Sequence, residues 1–457
     1  FPEFLVKFNY PKKMKWGSSE FSFVRPIQWI LFLFNDKKIS FCLKDMKCDM
    51  DTADITYGHR FLSSGKITVS SAEEYESILA ENGVIVNPAN RKKQIIEGFE
   101  KLEKENNIKI ERDEELLNEV IYLTEYPDPV LCSFDEKFLE LPDIVIKTSM
   151  KKHQKCFTVY SKDADSPVGT GSKVEKAQLN SMYNPGFQKE TDSEDTITNR
   201  FIAIANTNGN DVIIKGQEKV ITARLEDALF FFKEDKKIPL IERREKLKNI
   251  VYLEKLGSVY DKTIRLQKIV GIIAGMLKGL SLNGDLNIDI VKAVRAAELC
   301  KCDLVTSMVC EFTGLQGIMG SIYAFLDAED TEVSRGVFEH YLPRNVDDFL
   351  PETGTGLVLS MAEKFDNIMS CFLLGLNPTG AKDPYAVRRS FLGIIRIILA
   401  YKLSLPVTEI ISELIKIYPT GLVDELNRGG TSDKGEEKKG KKKKKKKKNL
   451  RKKKKLK

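Results

Sequence analysis

Histidine is scarce in this chain: His59, His153 and His340 are the only three in 457 residues. That scarcity excludes any site built from several clustered imidazoles, because no two of them lie near each other in sequence. The eight cysteines (Cys42, Cys48, Cys132, Cys156, Cys300, Cys302, Cys310 and Cys371) form no CxxC pair, and none has a histidine at zinc-knuckle spacing. Most sit in apolar segments such as VLCSF and SCFLL, where a reduced cysteine behaves as a small hydrophobe. A reducing compartment is expected. No apolar run approaches the ~20 residues that span a bilayer, and the longest, 27–34, is strand-sized. No basic leader with a cleavage site stands at the start. The chain opens on Phe1 rather than Met, as a fragment would, so an organellar location stays open beside a cytoplasmic one.

What is present describes a globular protein of two or three domains, with 42% hydrophobic and 30% charged residues. The net charge of +7 misleads, because residues 434–457 hold 17 Lys or Arg against two Glu, and without them the chain stands at −8. The body is therefore mildly acidic. Any nucleic-acid contact must come from local clusters of cations rather than from the overall field.

Residues 1–238 read as a mixed α/β region. FSFVRPIQWILFLF and KKISFCL look like strands paired around Asn35-Asp36. SAEEYESILAENG reads as a short helix starting at Ser70 or Ser71 and ending before Gly83. Residues 87–107 form a longer amphipathic helix with Ile95, Ile96, Phe99 and Leu102 on one face. FIAIAN and KVITARL read as β-rich runs feeding the helix LEDALFFFKED. Residues 161–198, rich in Ser, Asp, Gly and Lys, read as a surface loop. Its GTGSK (169–173) lacks the full G-x4-G-K-[ST] phosphate-loop pattern. Residues 239–418 read as helical throughout, with Leu247, Ile250, Val251, Glu254, Asp261 and Arg265 alternating apolar and charged faces. Residues 419–457 become low-complexity and like-charged, which predicts a disordered basic tail.

A series of blocks then narrows the field: LQGIMG (315–320), EHYLPR (339–344), MAEKFDNI (361–368) and NPTGAKDPYAVRRS (377–390). KMKWG, FVRPIQWI, YGHRFL, TEYPDPVLCSF, MKKHQKCF, FIAIAN, ARLEDALFFF and KCDLVTSMVCEF extend it from residue 13 to 390. The series resembles the β subunit of the bacterial two-subunit glycyl-tRNA synthetase. The resemblance implies an α+β fold: a mixed α/β N-terminal region, an all-α, degenerate HD-like domain and then the Lys-rich tail. It implies that 161–198 is an insertion, and that the family's anticodon-binding domain, which would follow residue 419, is replaced here by the tail. It implies a tRNA-binding subunit that leaves the adenylate chemistry to an α subunit. The expected partners are that α subunit, tRNA-Gly and a second β copy in an α2β2 assembly, with no membrane. No cofactor is expected on this chain; ATP and Mg2+ would act through the α subunit.

The residues agree with that division of labour. KMKW (13–16) mimics a class I nucleotide loop, but its His-x-Gly-His partner is missing, and no class II arginine set is identifiable. An active HD centre needs several histidines and a His-Asp pair to hold metals and activate water; the nearest counterpart is Cys302-Asp303. His340 is expected to hydrogen-bond at a helix end. No catalytic or metal-binding residue is assigned. Candidate contacts to RNA or to another subunit are Lys147, Lys151, Lys152, His153 and Lys155 around MKKHQK, and Lys382, Arg388 and Arg389. The competing reading pairs them with carboxylates such as Asp143, Asp366 and Asp383. Arg224 and Asp227 are expected to form a buried or helix-capping pair. Two other functions stay in view: a stand-alone HD-type phosphohydrolase, and a scaffold that binds only the α subunit.

Overall fold

The structure is a computed structural model, and it describes residues 2–17, 22–43, 50–162, 173–183, 196–277, 287–376, 378 and 383–429. Residues 430–457 of the tail, residues 169–172 of GTGSK and Lys382 lie outside the described residues, whereas Thr420–Gly429, read from sequence as the start of a disordered tail, is a helix that buries Leu422. The chain forms two units, one of residues 1–171 with 193–227 and one of residues 172–192 with 228–457.

The first unit begins with short strand pairs. Leu33–Phe34 pairs with Lys37–Lys38 around the left-handed Asn35 (φ 53°), as the Asn35-Asp36 turn predicts. β1 (Ile55–Tyr57) and β2 (Lys66–Thr68) make an antiparallel hairpin. α1 (Tyr75–Glu81) starts later than the serines suggest, because Ser71 spends its hydroxyl accepting from Glu73 N–H in a local turn. α2 (Pro88–Asn106) is opened by Asn87, whose side chain accepts from Ala89 N–H, and closed by the left-handed Asn107.

The main sheet has four antiparallel strands, β3 (Ile108–Ile110), β4 (Asp128–Ser133), β5 (Phe157–Ser161) and β6 (Thr196–Ala205), in the spatial order β4-β6-β5-β3. Between β3 and β4 lies α3 (Glu114–Ile121), capped by Asp113, which accepts from Leu116 N–H. α4 (Asp143–Thr148) precedes β5, and α5 (Lys173–Ser181) follows it within the second unit. The sheet's inner face meets α2 and α3 in one core that joins Ile95 and Phe99 to Leu116, Leu117, Val120, Phe157, Val159 and Ile202. That core fixes α3 beside the 147–155 segment.

α6 (Asp211–Asp235) carries the chain towards the second unit, which is built from α7 (Val259–Leu277), α8 (Ile290–Leu299), α9 (Ile318–Leu326), α10 (Thr331–Glu339), α11 (Gly354–Leu373), α12 (Val387–Tyr401), α13 (Val407–Ile415) and α14 (Thr420–Gly429). α11 is central and buried along most of its length. Among the described residues, no helix is long and apolar enough to cross a membrane. Cys132, Cys156, Cys300, Cys302 and Cys371 are buried thiols, as their apolar surroundings predict, whereas Cys310 is exposed.

Several local expectations need correction. KVITARL is helical, inside α6, because Ile221, Leu225 and Ala228 are all fully buried at helical spacing. Residues 239–258 are not a continuous helix: 3-10 turns flank a small hairpin, Val251–Leu253 with Gly257–Ser258, where Gly257 takes φ +81°. α5 occupies part of the stretch read as a loop, and it buries Leu179. Arg224 is half-buried and Asp227 exposed, both inside α6, so they are neither a buried pair nor a cap.

Candidate nucleic-acid interface and a buried charge network

The helical stretch from α4 through residues 149–154 presents lysines four residues apart, and α3 with its preceding turn presents carboxylates at the same period. The two rows meet. Lys147 Nζ lies 3.4 Å from Glu111, Lys151 Nζ 2.7 Å from Asp113 and 2.9 Å from Glu115, and Lys155 Nζ 2.8 Å from Glu119. They line a groove of ≈ 420 Å³. Burial works against the charge of Lys147, but Tyr160, Glu111 and Asp143 outweigh it and raise its pKa. Lys151 is raised in the same way, its two carboxylate partners overcoming desolvation. Three of the candidate cations thus have carboxylate partners within the chain, and a phosphate would have to compete with these. Lys152 points into solvent without an ion pair among the described residues. The backbone of His153 lies in the same helical turn.

In the second candidate group, Asp383 accepts from the N–H groups of Val387 and Arg388 and so opens α12. Arg388 and Arg389 are both exposed at that helix start, and Arg389 has no ion pair among the described residues. The structure therefore separates six of the candidates into a neutralised row, Lys147, Lys151 and Lys155, and three exposed cations, Lys152, Arg388 and Arg389.

Sequence reading missed a larger feature, inside the second unit. α7 contributes Lys262 and Arg265, three residues apart on one face, and α11 contributes Glu363 and Asp366 at the same spacing. Lys262 Nζ is 2.9 Å from Asp366 and 3.2 Å from Glu363; Arg265 Nε is 2.8 Å from Asp366. Tyr418 O–H also donates to Asp366, at 2.8 Å. Desolvation would raise the Asp366 carboxyl, but Lys262 and Arg265 hold it below the usual range. Lys301 joins from the other side, 3.3 Å from Glu363. The signal was available in MAEKFDNI, where Glu363 and Asp366 occupy positions that helical periodicity assigns to the core.

His340 caps the end of α10, as expected. Its Nδ1–H donates to Val337 O at 2.5 Å, which leaves Nε2 to accept from Lys301 at 2.8 Å. Burial and then the Lys301 charge keep the ring neutral, with its pKa well below the ordinary value. Asp303 accepts from Gly317 N–H (2.5 Å) and Gly320 N–H (3.2 Å), and burial pushes its carboxyl up to about 6. A Cβ at position 320 would lie 3.0 Å from Asp303 Oδ2, so glycine permits this approach. Cys302 donates its thiol to Glu298 O at 3.5 Å. These residues do not fit a metal centre: both histidine nitrogens are engaged, and an ammonium group occupies the space an ion would need. Lys364, also buried, donates to Leu342 O (2.6 Å) and Ser360 Oγ (2.9 Å), and burial brings its pKa down to about 7.

Comparison with known proteins follows the same direction. The family model described as glycyl-tRNA synthetase beta subunit matches residues 1–169 and 180–452. A glycine–tRNA ligase beta subunit of Syntrophomonas wolfei is 41% identical over 397 residues, 87% of this chain and 52% of the relative. Those of Streptococcus suis and Clostridioides difficile are each 38% identical, covering 91% of this chain and 56% and 55% of themselves. The chain spans about half the length of the curated relatives it matches.

Proposed function

Since the chain belongs to the glycyl-tRNA synthetase beta subunit family, we propose that it serves glycyl-tRNA synthesis as a tRNA-binding, non-adenylating subunit. In this reading an alpha subunit binds ATP, Mg2+ and glycine and forms the adenylate, while this chain holds tRNA-Gly. Two copies of each subunit assemble in the cytoplasm, and this chain needs no cofactor of its own. The observation that carries the reading is the extent of the family match, which runs through both units.

The charge network supports the non-catalytic half. Hydrolysis at an HD-type centre needs a metal-bound hydroxide. Here Lys301, Lys262 and Arg265 stand against the carboxylates, so the helical unit uses its acidic residues for internal ion pairs. That disfavours a stand-alone phosphohydrolase. Among the candidate contacts, Lys152, Arg388 and Arg389 are the solvent-facing ones and take the role of auxiliary RNA or subunit contacts. Lys382 and the His153 ring join them as contacts proposed on sequence alone.

The test is assembly. The chain is mixed with its alpha subunit and labelled tRNA-Gly, and the complexes are separated by gel filtration. Co-elution of all three is expected. Elution with alpha but without tRNA would replace the reading by a scaffold, and elution with neither would end it.

A further inference from the structure

The β1–β2 hairpin carries a surface that none of the candidate residues belongs to. At its centre His59 is buried, 1% exposed. Its N–H donates to Asn82 O (2.8 Å), its carbonyl accepts from Leu62 and Ser63 N–H (3.2 and 3.0 Å), and its Nδ1 accepts from Phe61 N–H (3.2 Å). Ser63 Oγ donates to Asn82 Oδ1 at 2.7 Å. At Gly58 a Cβ would lie 2.6 Å from Asn82 O, so only glycine allows the turn to sit this close. The buried His59 and the half-buried Ser63 and Asn82 thus fix the shape of a turn whose outward residues include Arg60 and Phe61.

Phe61 is 77% exposed, an arrangement that costs solubility without contributing to the core. The Arg60 guanidinium lies 5.8 Å from its ring centroid, so cation and ring are presented together. Four residues earlier the exposed Tyr57 meets the exposed Trp29, ring centroids 4.7 Å apart. Opposite Tyr57 in the ladder stands Lys66. Neither Arg60 nor Lys66 has an ion pair among the described residues, in contrast to the lysines facing α3. Exposed rings interleaved with unneutralised cations, on a turn held rigid from beneath, match the chemistry that binds unstacked bases: faces for the bases and positive charge for the phosphates.

We propose that Trp29, Tyr57, Arg60, Phe61 and Lys66 form a stacking surface for an unpaired segment of RNA. This rests on the reading of the chain as an RNA-binding subunit and names the surface that does the binding. Bases stack on Phe61 and on the Trp29–Tyr57 pair, while Arg60 and Lys66 meet the backbone. His59 is a positioning residue beneath them.

The test uses the full chain carrying Phe61→Trp, titrated to saturation with an unstructured RNA oligonucleotide and with tRNA-Gly. RNA binding is followed independently by the anisotropy of a label on the RNA. Indole emission from the substituted position, after subtraction of the parent chain, is expected to be quenched as RNA binds. Phe61→Ala should weaken oligonucleotide binding by roughly fivefold or more. Arg60→Ala with Lys66→Ala should lower the salt slope by about 1.4, at ~0.7 per phosphate of a single strand. Binding seen by anisotropy with unchanged indole emission, and with Phe61→Ala equal to the parent, would overturn the surface alone. Loss of alpha-subunit association in Phe61→Ala, with RNA binding intact, would overturn it in favour of a protein contact. No RNA binding by either readout would overturn both the surface and the reading beneath it.

Discussion

Lys301 donates to His340 Nε2 across 2.8 Å, which makes the second unit's only histidine a buried, neutral acceptor rather than an acid–base group. An ordinary histidine titrates near ~6.5. The His340 ring should remain neutral through that range, as an NMR titration of the imidazole would record. Its contribution to stability is present above the unfolded-state pKa and is lost as pH falls towards the depressed folded value. Lys301→Gln, which removes the neighbouring charge, should move the ring's pKa upwards.

Asp366 is the common acceptor of Lys262, Arg265 and Tyr418. Asp366→Asn would leave two buried cations facing a neutral amide. Breaking a buried pair from one side costs roughly 3–5 kcal/mol. A fall of that size, read from the midpoint of urea unfolding, is expected; a change below about 1 kcal/mol would mean that the network does not hold α7 to α11.

Substitution at Lys364 should stabilise the fold rather than destabilise it. Its folded pKa of about 7 lies below the ordinary lysine value because of burial, so the unfolded chain binds the proton more tightly between about 7 and 10.5. The fold should gain stability as pH rises through that window. Lys364→Met should remove this slope and stabilise the protein by roughly 1–3 kcal/mol at pH 7. Leu342 O keeps its hydrogen bond from Ser360 Oγ, so the substitution orphans no carbonyl. Parallel denaturation curves of parent and variant across pH 6–10 check both statements.

Local signals carried part of this structure plainly. Asn87-Pro88 followed by Ile95 and Phe99 marks α2 from cap to core, because capping and helical periodicity act within a few residues. KVITARL misleads because Val220, Ile221 and Thr222 are β-branched; packing of Ile221 and Leu225 overrides that preference. The pairing of Lys151 with Glu115 joins residues 36 apart, and Lys262 with Asp366 joins residues 104 apart. No local pattern contains such partners. The stacking turn escaped for a related reason: YGHRFL shows its composition, but only the fold reveals that His59 is inside and Phe61 outside.

The ladder between α3 and the lysine row is accessible to water, and pairs of that kind contribute about 0–1 kcal/mol each. Lys151→Ala and Lys155→Ala should each change stability by no more than that, by urea unfolding. Their effect on RNA affinity should be smaller than that of Glu115→Gln with Glu119→Gln, which frees the Lys155 ammonium for phosphate and leaves Lys151 with Asp113 alone. Filter binding at fixed salt compares the two sets; weaker binding after the glutamate substitutions would show that the carboxylates do not restrain the lysines.

The central claim is that this chain supports glycine charging without performing the activation itself. Charging of tRNA-Gly is measured with ATP and glycine for the alpha subunit alone, this chain alone, and the two together. The account predicts glycyl-tRNA only from the mixture, and no ATP–pyrophosphate exchange by this chain alone. Glycine-dependent exchange by this chain without the alpha subunit, or charging by alpha that is unchanged when this chain is added, would contradict it.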